Sequence, residues 1–421
     1  MESHCDSALR VMVERQGVQY RTCQSASDLM SERNNETTTA ILDMEHAQSL
    51  ETENRTVVVV ANSAWYLWNF RRALLVAMVE LGYSVVCMSP QDPINVPRLR
   101  QLGVSFRHWV IEPDSVNPWR EWRALCQLKS LMKQSVPSAV FSFTIKANIH
   151  VGIIARSHKF KYLPTITGLG TAFLSDRPLH KAGRVLLRRA LAYTHKLFVQ
   201  NADDARIATD LLRVDRSLIV IVPGSGVDLD EFSLEDKRAL TPPWSEITFS
   251  FVGRFLRQKG VCEYAQAAKR LRAAGFPVKF KAYGDGISRN ISAVDIEELE
   301  DLSDGSVEFC GWAEDVRDVF KVSDFIVLPS YREGMSRILI EAAASGLPLI
   351  ASDVPGCREL VDHSINGFLC EPRDVDSLEK VLIQATQLSK EEYIAMMGSS
   401  RKKALSFSVQ HVNRDYLDAL L

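Results

Sequence analysis

Two glutamates, Glu333 and Glu341, lie in a segment where the chain passes from apolar to polar character and back. The apolar run Phe325–Leu328 predicts a buried strand, the residues after it a loop that contains Glu333, and the next ones a helix that contains Glu341. A helix start leaves backbone N–H groups without partners and attracts phosphate through them. Since carboxylates accept hydrogen bonds from hydroxyl groups, the segment predicts a ligand with both phosphates and hydroxyls, as in a nucleotide sugar.

Two cations follow an earlier predicted strand of the same half of the chain. In FSFVGRFLRQKGV (249–261) the strand ends at Gly253, and Arg254 and Lys259 come directly after it. Glycine lets a ligand approach the backbone, arginine offers a planar fork of donors, and lysine supplies a point charge. This spacing predicts that the two cations close on a diphosphate.

Asp285 and Trp312 are two further candidates in this half. Asp285 lies in AYGDG (282–286), a turn sequence that suits a ligand loop but is also common in α/β proteins without one. Trp312 ends FCGW (309–312), where its indole either stacks on a base or belongs to the core. The sequence leaves both alternatives open.

The elements that must position these residues alternate between strand-like and helix-like from about residue 56 to 380, which predicts parallel sheets in an α/β fold. A glycine-rich stretch at 222–232 divides them into two series. We expect two Rossmann-like domains facing a central cleft, over 55–225 and 226–405, with a tail over 406–421 that packs back on the first. Residues 1–54 lack periodicity and are interpreted as a partly disordered extension.

The charge distribution separates the two halves. Residues 55–220 carry 23 basic and 10 acidic residues, whereas 221–421 carry 23 basic and 32 acidic ones. A basic half favours an anionic membrane or a phosphorylated ligand, and no nucleic-acid-binding motif accompanies it. The eight cysteines are scattered without a C-x-x-C pair, which suits a reducing cytoplasm, and no apolar run is long enough for a transmembrane helix.

The segment around Glu333 and Glu341 resembles the signature of retaining glycosyltransferases of family 4, and GRFLRQKG (253–260) resembles their Gly-Arg…Lys-Gly element. The resemblance implies the GT-B fold and a UDP-sugar donor, with no metal ion and no further cofactor. It assigns catalysis to Glu333 on the donor sugar and to Arg254 and Lys259 on the leaving diphosphate. The donor-binding residues that it implies are Glu341 on the ribose, Gly253, Gly334, Met335, Ser336, Asp285 and Trp312. Many relatives have proline where this chain has Ser336, which keeps an N–H that proline lacks.

In the first half, Asn69-Phe70-Arg71, FSFTIKANIHVG (141–152) and FVQNADD (198–204) resemble a bacterial subgroup that transfers N-acetylhexosamines to undecaprenyl-diphosphate-linked sugars. The resemblance implies a polyprenyl-diphosphate-linked glycan acceptor. Lys146, Asn148 and His150 are predicted to lie in a loop after the apolar strand Ala139–Phe143, and strand carboxyl ends face the cleft. The acceptor-binding candidates are Lys146, Asn148, His150, Asn62, Ser63 and Arg71. A helix is expected from about Asn69 to Leu81.

The segment 176–199 predicts a basic amphipathic helix, with Val185, Leu186, Leu187, Ala190 and Leu191 on one apolar face. Such a helix either lies on an anionic membrane or packs on its own sheet with a charged outer face. With a lipid-linked acceptor, we expect a cytoplasmic protein peripherally associated with the inner face of the cell membrane.

Two alternatives compete with a transferase of polysaccharide biosynthesis. A GT-B sugar-nucleotide epimerase needs acid and base residues in the cleft, and the glutamate pair with its two cations fits it less well. A non-catalytic GT-B scaffold subunit does not need Glu333, Glu341, Arg254 and Lys259, all of which are present. Binding of UDP discriminates a transferase from a scaffold.

Overall fold

A computed structural model describes residues 55–112, 115, 117–169, 178–232, 246–285 and 292–421. The expected extension over 1–54 lies outside the described residues. Two parallel sheets, of seven and six strands, form the framework, and helices cover them. This is the α/β, two-domain arrangement that the sequence predicted.

The first sheet has the strand order β3-β2-β1-β4-β5-β6-β7, and every pair in it is parallel. Its strands are β1 (Thr56–Val60), β2 (Ser84–Ser89), β3 (Ser105–His108), β4 (Ala139–Phe143), β5 (Lys161–Ile166), β6 (Leu197–Val199) and β7 (Ile219–Ile221). The helices of this half are α1 (Ala64–Glu80), α2 (Asn95–Gln101), α3 (Pro118–Ser135), α4 (Ile145–Ala155), α5 (Pro178–Leu191) and α6 (Ala202–Asp210).

The second sheet has the order β10-β9-β8-β11-β12-β13, again parallel throughout. Its strands are β8 (Ile247–Val252), β9 (Val278–Tyr283), β10 (Val307–Gly311), β11 (Phe325–Leu328), β12 (Leu349–Ser352) and β13 (Gly367–Cys370). The remaining helices are α7 (Val261–Ala273), α8 (Ile296–Ser303), α9 (Val316–Lys321), α10 (Arg337–Ala344), α11 (Val375–Thr386), α12 (Lys390–Ala404) and α13 (Val409–Asp418). Short 3₁₀ turns lie at Arg216–Leu218, Arg257–Lys259 and Leu405–Phe407.

Burial on both faces explains why central strands such as β1 and β11 are almost entirely apolar. In β1, Val57 and Val59 join the core under α1 and α2, whereas Val58 and Val60 join the core under α3 and α4. Successive strand side chains point to opposite faces, so a strand covered on both sides needs an unbroken apolar run. The same reasoning holds for β11, in which every residue is buried.

The last helix of the chain packs on the first domain. Ser408 forms a bridge with Val227 where the chain crosses over, and α13 follows it. In α13 the ring of Tyr416 lies 4.4 Å from that of Phe198, and Val412 is fully buried in the same core. The C-terminal helix therefore completes the N-terminal domain.

Four local expectations were wrong or incomplete. Helix α1 begins at Ala64 rather than near Asn69, because Ser63 caps it by accepting the N–H of Tyr66. Lys146, Asn148 and His150 lie in helix α4, not in a loop. In α5, Val185 and Leu186 are exposed, so they do not share the buried face of Leu187, Ala190 and Leu191. The edge strand β13 was not predicted.

Candidate functional site

The carboxyl ends of the two sheets border one cleft of about 920 Å³. It lies where parallel-sheet proteins place their ligands, and both domains contribute to its walls. The predicted site residues that line it are Arg71, Gly253, Arg254, Lys259, Asp285, Trp312, Glu333, Met335, Ser336 and Glu341. Two separate strand-end loops of the second domain, together with helix α10, therefore meet at one place.

Glu333 and Lys259 form an ion pair inside this cleft. The Nζ of Lys259 lies 2.6 Å from Oε1 of Glu333, and the hydroxyl of Ser330 donates to the same oxygen at 2.6 Å. Both side chains are largely buried, with 12% of Glu333 and 22% of Lys259 exposed. The backbone N–H of Glu333 donates to the carbonyl of Pro355, which anchors the loop from below. Two bonds thus fix the carboxylate, and a third fixes its backbone, before any ligand arrives.

Gly260 sets the position of Lys259. Its φ is +76°, a conformation that favours glycine, and a Cβ there would lie 2.0 Å from the carbonyl oxygen of Pro329. The turn after the 3₁₀ segment Arg257–Lys259 is therefore in direct backbone contact with Pro329, where the loop that contains Glu333 begins. This close backbone contact is what brings two strand ends together.

Arg254 is the exposed cation of the site. It lines the cleft beside Gly253, and within the described ranges no side chain or backbone group pairs with its guanidinium. The neighbouring turn supports it, because the N–H of Phe255 donates to the carbonyl of Asp285 at 2.9 Å. A Cβ on Gly284 would lie 1.9 Å from the carbonyl oxygen of Gly253, so only glycine fits this contact. The turn therefore fixes the backbone of Arg254, while its guanidinium remains available to a ligand.

The start of helix α10 opens into the same cleft. Ser336 occupies the N-cap position, but its side chain makes no capping hydrogen bond. Among the residues that the structure describes, no acceptor reaches the N–H groups of Arg337 and Ile338, and both residues line the cleft. The N–H of Ser336 itself donates to the carbonyl of Gly356 at 3.0 Å. The N–H of Met335, which also lines the cleft, likewise has no acceptor among the described residues, so the donors open to an anion are at Met335, Arg337 and Ile338 and overlap the predicted Gly334–Ser336 group at Met335.

Glu341 lies one turn further along α10 and is 8% exposed. Burial raises the pKa of its carboxyl, and the guanidinium of Arg337 opposes the shift. The Nε of Arg337 donates to Oε1 of Glu341, while its Nη1 donates to the carbonyl of Asn69 in helix α1 of the other domain. Arg337 therefore connects the second glutamate to the acceptor side of the cleft. Sequence reasoning missed Arg337, although its i, i+4 spacing from Glu341 was a usable signal.

Trp312 stands at the rim of the cleft with 63% of its surface exposed, so it is not a core residue. An exposed indole at a cleft can offer its apolar face to a ligand. Of the two interpretations that the sequence left open, this position agrees with a stacking platform.

Arg71 lies at the floor of the cleft and is 2% exposed. Its guanidinium carbon lies 4.2 Å from the ring centre of Phe143 and 5.2 Å from that of Tyr416, and Nη2 donates to the hydroxyl of Tyr66 at 3.1 Å. Its buried Nε has no partner, and no carboxylate of the described chain forms an ion pair with it. A buried cation held only by aromatic rings and a phenol is an unusual arrangement, since buried charges are normally paired.

The structure does not bring five of the other predicted site residues to the cleft lining. Asn148 is fully buried between Ser142 and the carbonyl of Thr165, and His150 is bonded to the carbonyls of Lys146 and Glu121. Lys146 forms an ion pair with Glu121 at 2.8 Å. These three were misplaced because α4 begins directly after β4, which turns Lys146 and His150 towards α3 and Asn148 into the core between β4 and β5. Asn62 and Ser63 form the approach to α1, where Ser63 is used as its cap.

Gly334 is a special case, because it contacts the first domain rather than the cleft. A Cβ there would lie 2.4 Å from the side-chain oxygen of Gln200 and 2.5 Å from the carbonyl oxygen of Thr167. Its role is close approach between domains, as its lack of a side chain allows.

The chain contains two Asp-x-Asp sequences, at 228–230 and 374–376, and the first aspartate of each makes hydrogen bonds to backbone groups close to it in sequence. Asp228 accepts the N–H of Asp230, and Asp374 accepts the N–H of Ser377 as the cap of α11. Within the described ranges, no group of three or more His, Cys, Asp or Glu side chains could hold a metal ion, and no helix is long and apolar enough to cross a membrane.

Comparison with known proteins agrees with this geometry. Residues 67–224 match the family described as glycosyl transferase 4-like domain, and residues 246–387 match glycosyl transferases group 1. An uncharacterized glycosyltransferase of Haemophilus influenzae is 30% identical, covering 81% of this chain and 89% of the relative. The structure of HepE from Anabaena in complex with UDP and glucose superimposes with a TM-score of 0.71 at 15% identity, covering 86% of this chain and 98% of that one.

Two further relatives carry specific names. A UDP-Gal:alpha-D-GlcNAc-diphosphoundecaprenol alpha-1,3-galactosyltransferase of Escherichia coli is 28% identical over 63% of this chain and 71% of its own length. An N,N'-diacetylbacillosaminyl-diphospho-undecaprenol alpha-1,3-N-acetylgalactosaminyltransferase of Campylobacter jejuni is 24% identical over 75% of this chain and 85% of its own length. The two family matches show that this chain is a glycosyltransferase with a 4-like domain followed by a group 1 domain. It therefore belongs to the GT-B glycosyltransferases that its resemblance to family 4 predicted.

Proposed function

We propose that this glycosyltransferase moves a sugar, an N-acetylhexosamine in our interpretation, from a UDP-sugar to a polyprenyl-diphosphate-linked glycan in bacterial polysaccharide assembly. The transfer retains the anomeric configuration and needs no metal ion. The proposal rests on one observation: the Lys259–Glu333 pair, the unpaired Arg254 and the start of α10 all line one cleft.

The donor diphosphate lies against Arg254, Lys259 and the N–H groups of Arg337 and Ile338. These groups are in place before the reaction, so they stabilise charge that develops on the leaving group without reorganisation. Glu341 accepts hydrogen bonds from the ribose hydroxyls, and Trp312 stacks on the base. Both line the same cleft. Two cations and a helix start supply the positive charge that a divalent ion supplies in metal-dependent transferases.

Glu333 contacts the donor sugar at the reacting end. The bond between the sugar C1 and the phosphate oxygen breaks, and the acceptor hydroxyl forms its new bond to C1 on the same face. The acceptor proton passes to the oxygen of the departing diphosphate. Because Glu333 is already fixed by Lys259 and Ser330, it positions the sugar rather than acting as a mobile base.

The acceptor enters from the first domain. The Escherichia coli and Campylobacter jejuni relatives are both named for diphosphoundecaprenol-linked sugars, which supports a lipid-linked acceptor here. Arg71 adds a physical reason, since a buried cation without a carboxylate gains energy from an anionic ligand in the cleft. Of the acceptor residues that the sequence predicted, Arg71 therefore has the strongest structural support.

Peripheral membrane association follows from the same acceptor. Helix α4 packs against both α3 and α5, so these three helices form one layer of the first domain. On its outer side Trp119 and Trp122 are stacked and exposed, with ring centres 5.1 Å apart, and Val185 and Leu186 are exposed in α5 beside Arg188 and Arg189. Exposed tryptophan with flanking arginine suits the interface of an anionic bilayer.

The proposal is tested with purified protein, UDP-N-acetylhexosamines, UDP-hexoses, and a synthetic polyprenyl-diphosphate-linked sugar, in the presence and absence of a chelator. We expect transfer that persists with chelator, is lost in Glu333→Gln, and gives a product with the donor's anomeric configuration by NMR. An inverted product refutes retention. Interconversion of UDP-sugars without acceptor establishes the epimerase alternative, and absence of UDP binding establishes the scaffold.

A further inference from the structure

The residue before the donor glutamate forms an ion pair across the two domains. Arg332 donates through Nη2 to Oδ1 of Asp204, which lies in the first turn of α6 in the first domain. Asp204 is fully buried and only 13% of the Arg332 side chain is exposed. Burial raises the pKa of Asp204, while the guanidinium of Arg332 opposes the shift. The pair is therefore a desolvated contact and not a surface ion pair of negligible worth.

The residue after the glutamate is bound by the same helix. Asn201 donates through Nδ2 to the carbonyl of Gly334 at 2.6 Å, and its Oδ1 caps α6 by accepting the N–H of Asp204 at 2.7 Å. Bonds to the first domain thus flank Glu333 on both sides in sequence. The start of one helix holds the three-residue segment Arg332–Gly334, while Glu333 itself points to the cleft.

Close packing accompanies these bonds. A Cβ on Gly168 would lie 3.0 Å from the backbone of Gly334, and a Cβ on Gly334 would clash with Gln200 and Thr167. The buried Nε of Arg332 has no partner, which lowers the stability that this contact contributes. The first domain therefore binds the side chain of the residue before Glu333 and the backbone carbonyl of the residue after it.

We propose that Asp204, Asn201 and Arg332 are positioning residues for transfer: by clamping Arg332 and Gly334 to the first domain, they place Glu333 on the donor sugar only when the two domains are closed. The proposal rests on the transferase function and adds a coupling between domain closure and the position of Glu333. It follows that the acceptor domain takes part in completing the donor site. None of the three residues lines the cleft, so they act through Glu333 rather than on a substrate.

The test measures transfer kinetics and UDP affinity for Asp204→Asn and Asn201→Ser. The serine variant keeps an oxygen that caps α6 but removes the donor to Gly334, which isolates the clamp from the helix cap. We expect kcat to fall by about tenfold or more with UDP affinity within about twofold of the wild type, because positioning errors affect the reacting geometry more than binding. Arg332→Lys, which keeps the charge, should recover part of the kcat lost in Arg332→Met.

The matched control is Asp203→Asn. Asp203 precedes Asp204 on the same helix turn, and it pairs with the exposed Arg206 instead of with the second domain. It should leave kcat unchanged. Small-angle scattering gives an independent readout: with UDP bound, the wild type and Asp203→Asn should have the same compact radius of gyration, whereas Asp204→Asn and Asn201→Ser should have a larger one.

Wild-type kcat in folded Asn201→Ser and Asp204→Asn with normal UDP affinity overturns the clamp. A parallel loss of UDP affinity and melting temperature in both variants also overturns it, since that pattern belongs to a general structural role. Failure of the proposed function gives a different result, namely no transfer by the wild type. The clamp is then still judged by the scattering, and equal compaction of wild type and both variants refutes it.

Discussion

Lys259 and Glu333 stand 74 positions apart in the sequence, and their side chains meet in the structure at 2.6 Å. The pair links the loop after β8 to the loop after β11, which are neighbouring strands. In the free protein each charge neutralises the other. When a sugar diphosphate binds, the lysine gains a phosphate partner and the carboxylate gains sugar hydroxyls, so the pair marks the junction between leaving group and sugar.

Glu333→Gln should separate binding from transfer. Removing the carboxylate's charge frees Lys259 for phosphate, so UDP affinity should be equal to or higher than that of the wild type. Transfer should fall by about 10²–10³-fold, the scale on which a single fixed polar group contributes to a transition state. Calorimetric titration of UDP and initial rates of transfer measure the two effects.

The control for this charge removal is Glu298→Gln, which removes a carboxylate that pairs with Arg257 outside the cleft. Glu298→Gln should change neither the UDP affinity nor the rate of transfer. Loss of UDP affinity in Glu333→Gln with unchanged kcat would contradict the placement of Glu333 at the sugar.

Arg254→Ala should weaken UDP binding by about 10–100-fold, because a hydrogen bond to a charged group contributes about 1.5–3 kcal/mol. Arg254→Lys should recover part of this affinity, since a point charge remains without the planar fork. The matched control is Arg257→Ala. Arg257 lies three positions away on the same loop, but it pairs with Glu298 and does not line the cleft. Equal losses in the two alanine variants would mean that only the net charge of the domain matters.

Local patterns predicted that Glu333, Arg254 and Lys259 lie at one cleft, for a simple physical reason. Glu333, Arg254 and Lys259 each lie in a loop that follows an apolar run, and the carboxyl ends of parallel strands share one edge. Once two strands are recognised, their loops must meet there. The sequence therefore placed these three residues without any long-range information.

Side-chain direction and long-range pairing were not predictable in this way. Asn148 also follows an apolar strand, but the chain enters α4 at once and turns its amide into the core. Arg332 and Asp204 are 128 positions apart, and no spacing rule relates them. Arg71 has an ordinary helical position, and its aromatic surroundings come partly from Tyr416, near the other end of the chain. These features depend on tertiary packing, which periodicity does not contain.

The pH dependence of nucleoside binding should report on Glu341. Burial raises the pKa of this carboxyl above its usual 4.5 in the free protein. Ribose hydroxyls bind the charged form, so they lower this pKa in the complex. Affinity is therefore full above the free-protein pKa and declines as the pH falls through it, at a higher pH than for an exposed glutamate.

Uridine is the suitable probe, since it has no phosphate that titrates in the same range. Saturation-transfer NMR from neutral to mildly acidic pH should show its affinity falling for the wild type and staying low and flat for Glu341→Gln. Dideoxyuridine, which lacks the ribose hydroxyls, provides the ligand control. A wild-type profile as flat as that of Glu341→Gln would place the ribose elsewhere.

Gly260→Ala should destabilise the second domain by at least about 3 kcal/mol, through a left-handed backbone and a clash. A Cβ there would lie 2.0 Å from the carbonyl oxygen of Pro329. Gly275→Ala is the matched control, because Gly275 also has a positive φ, of +82°, but nothing lies within 4 Å of its added Cβ. It should cost only about 1–2 kcal/mol, the backbone contribution alone. Urea denaturation measures both, and similar costs would show that the contact with Pro329 relaxes easily.

Replacement of Trp119 and Trp122 by alanine should weaken membrane binding and leave the donor site intact. The two rings are 66% and 53% exposed and stacked, and they share a helical layer with the exposed Val185 and Leu186. Large exposed aromatic groups beside arginine insert at the level of lipid headgroups, where each nearby cation adds about 1 kcal/mol on an anionic surface. Cosedimentation with vesicles containing anionic lipid should therefore fall several-fold in the double variant, and UDP affinity should not change. Ile365→Ala removes a residue that is 59% exposed on the second domain and should bind vesicles as the wild type does. If the double variant and Ile365→Ala bind equally well, the tryptophan pair does not contact the bilayer.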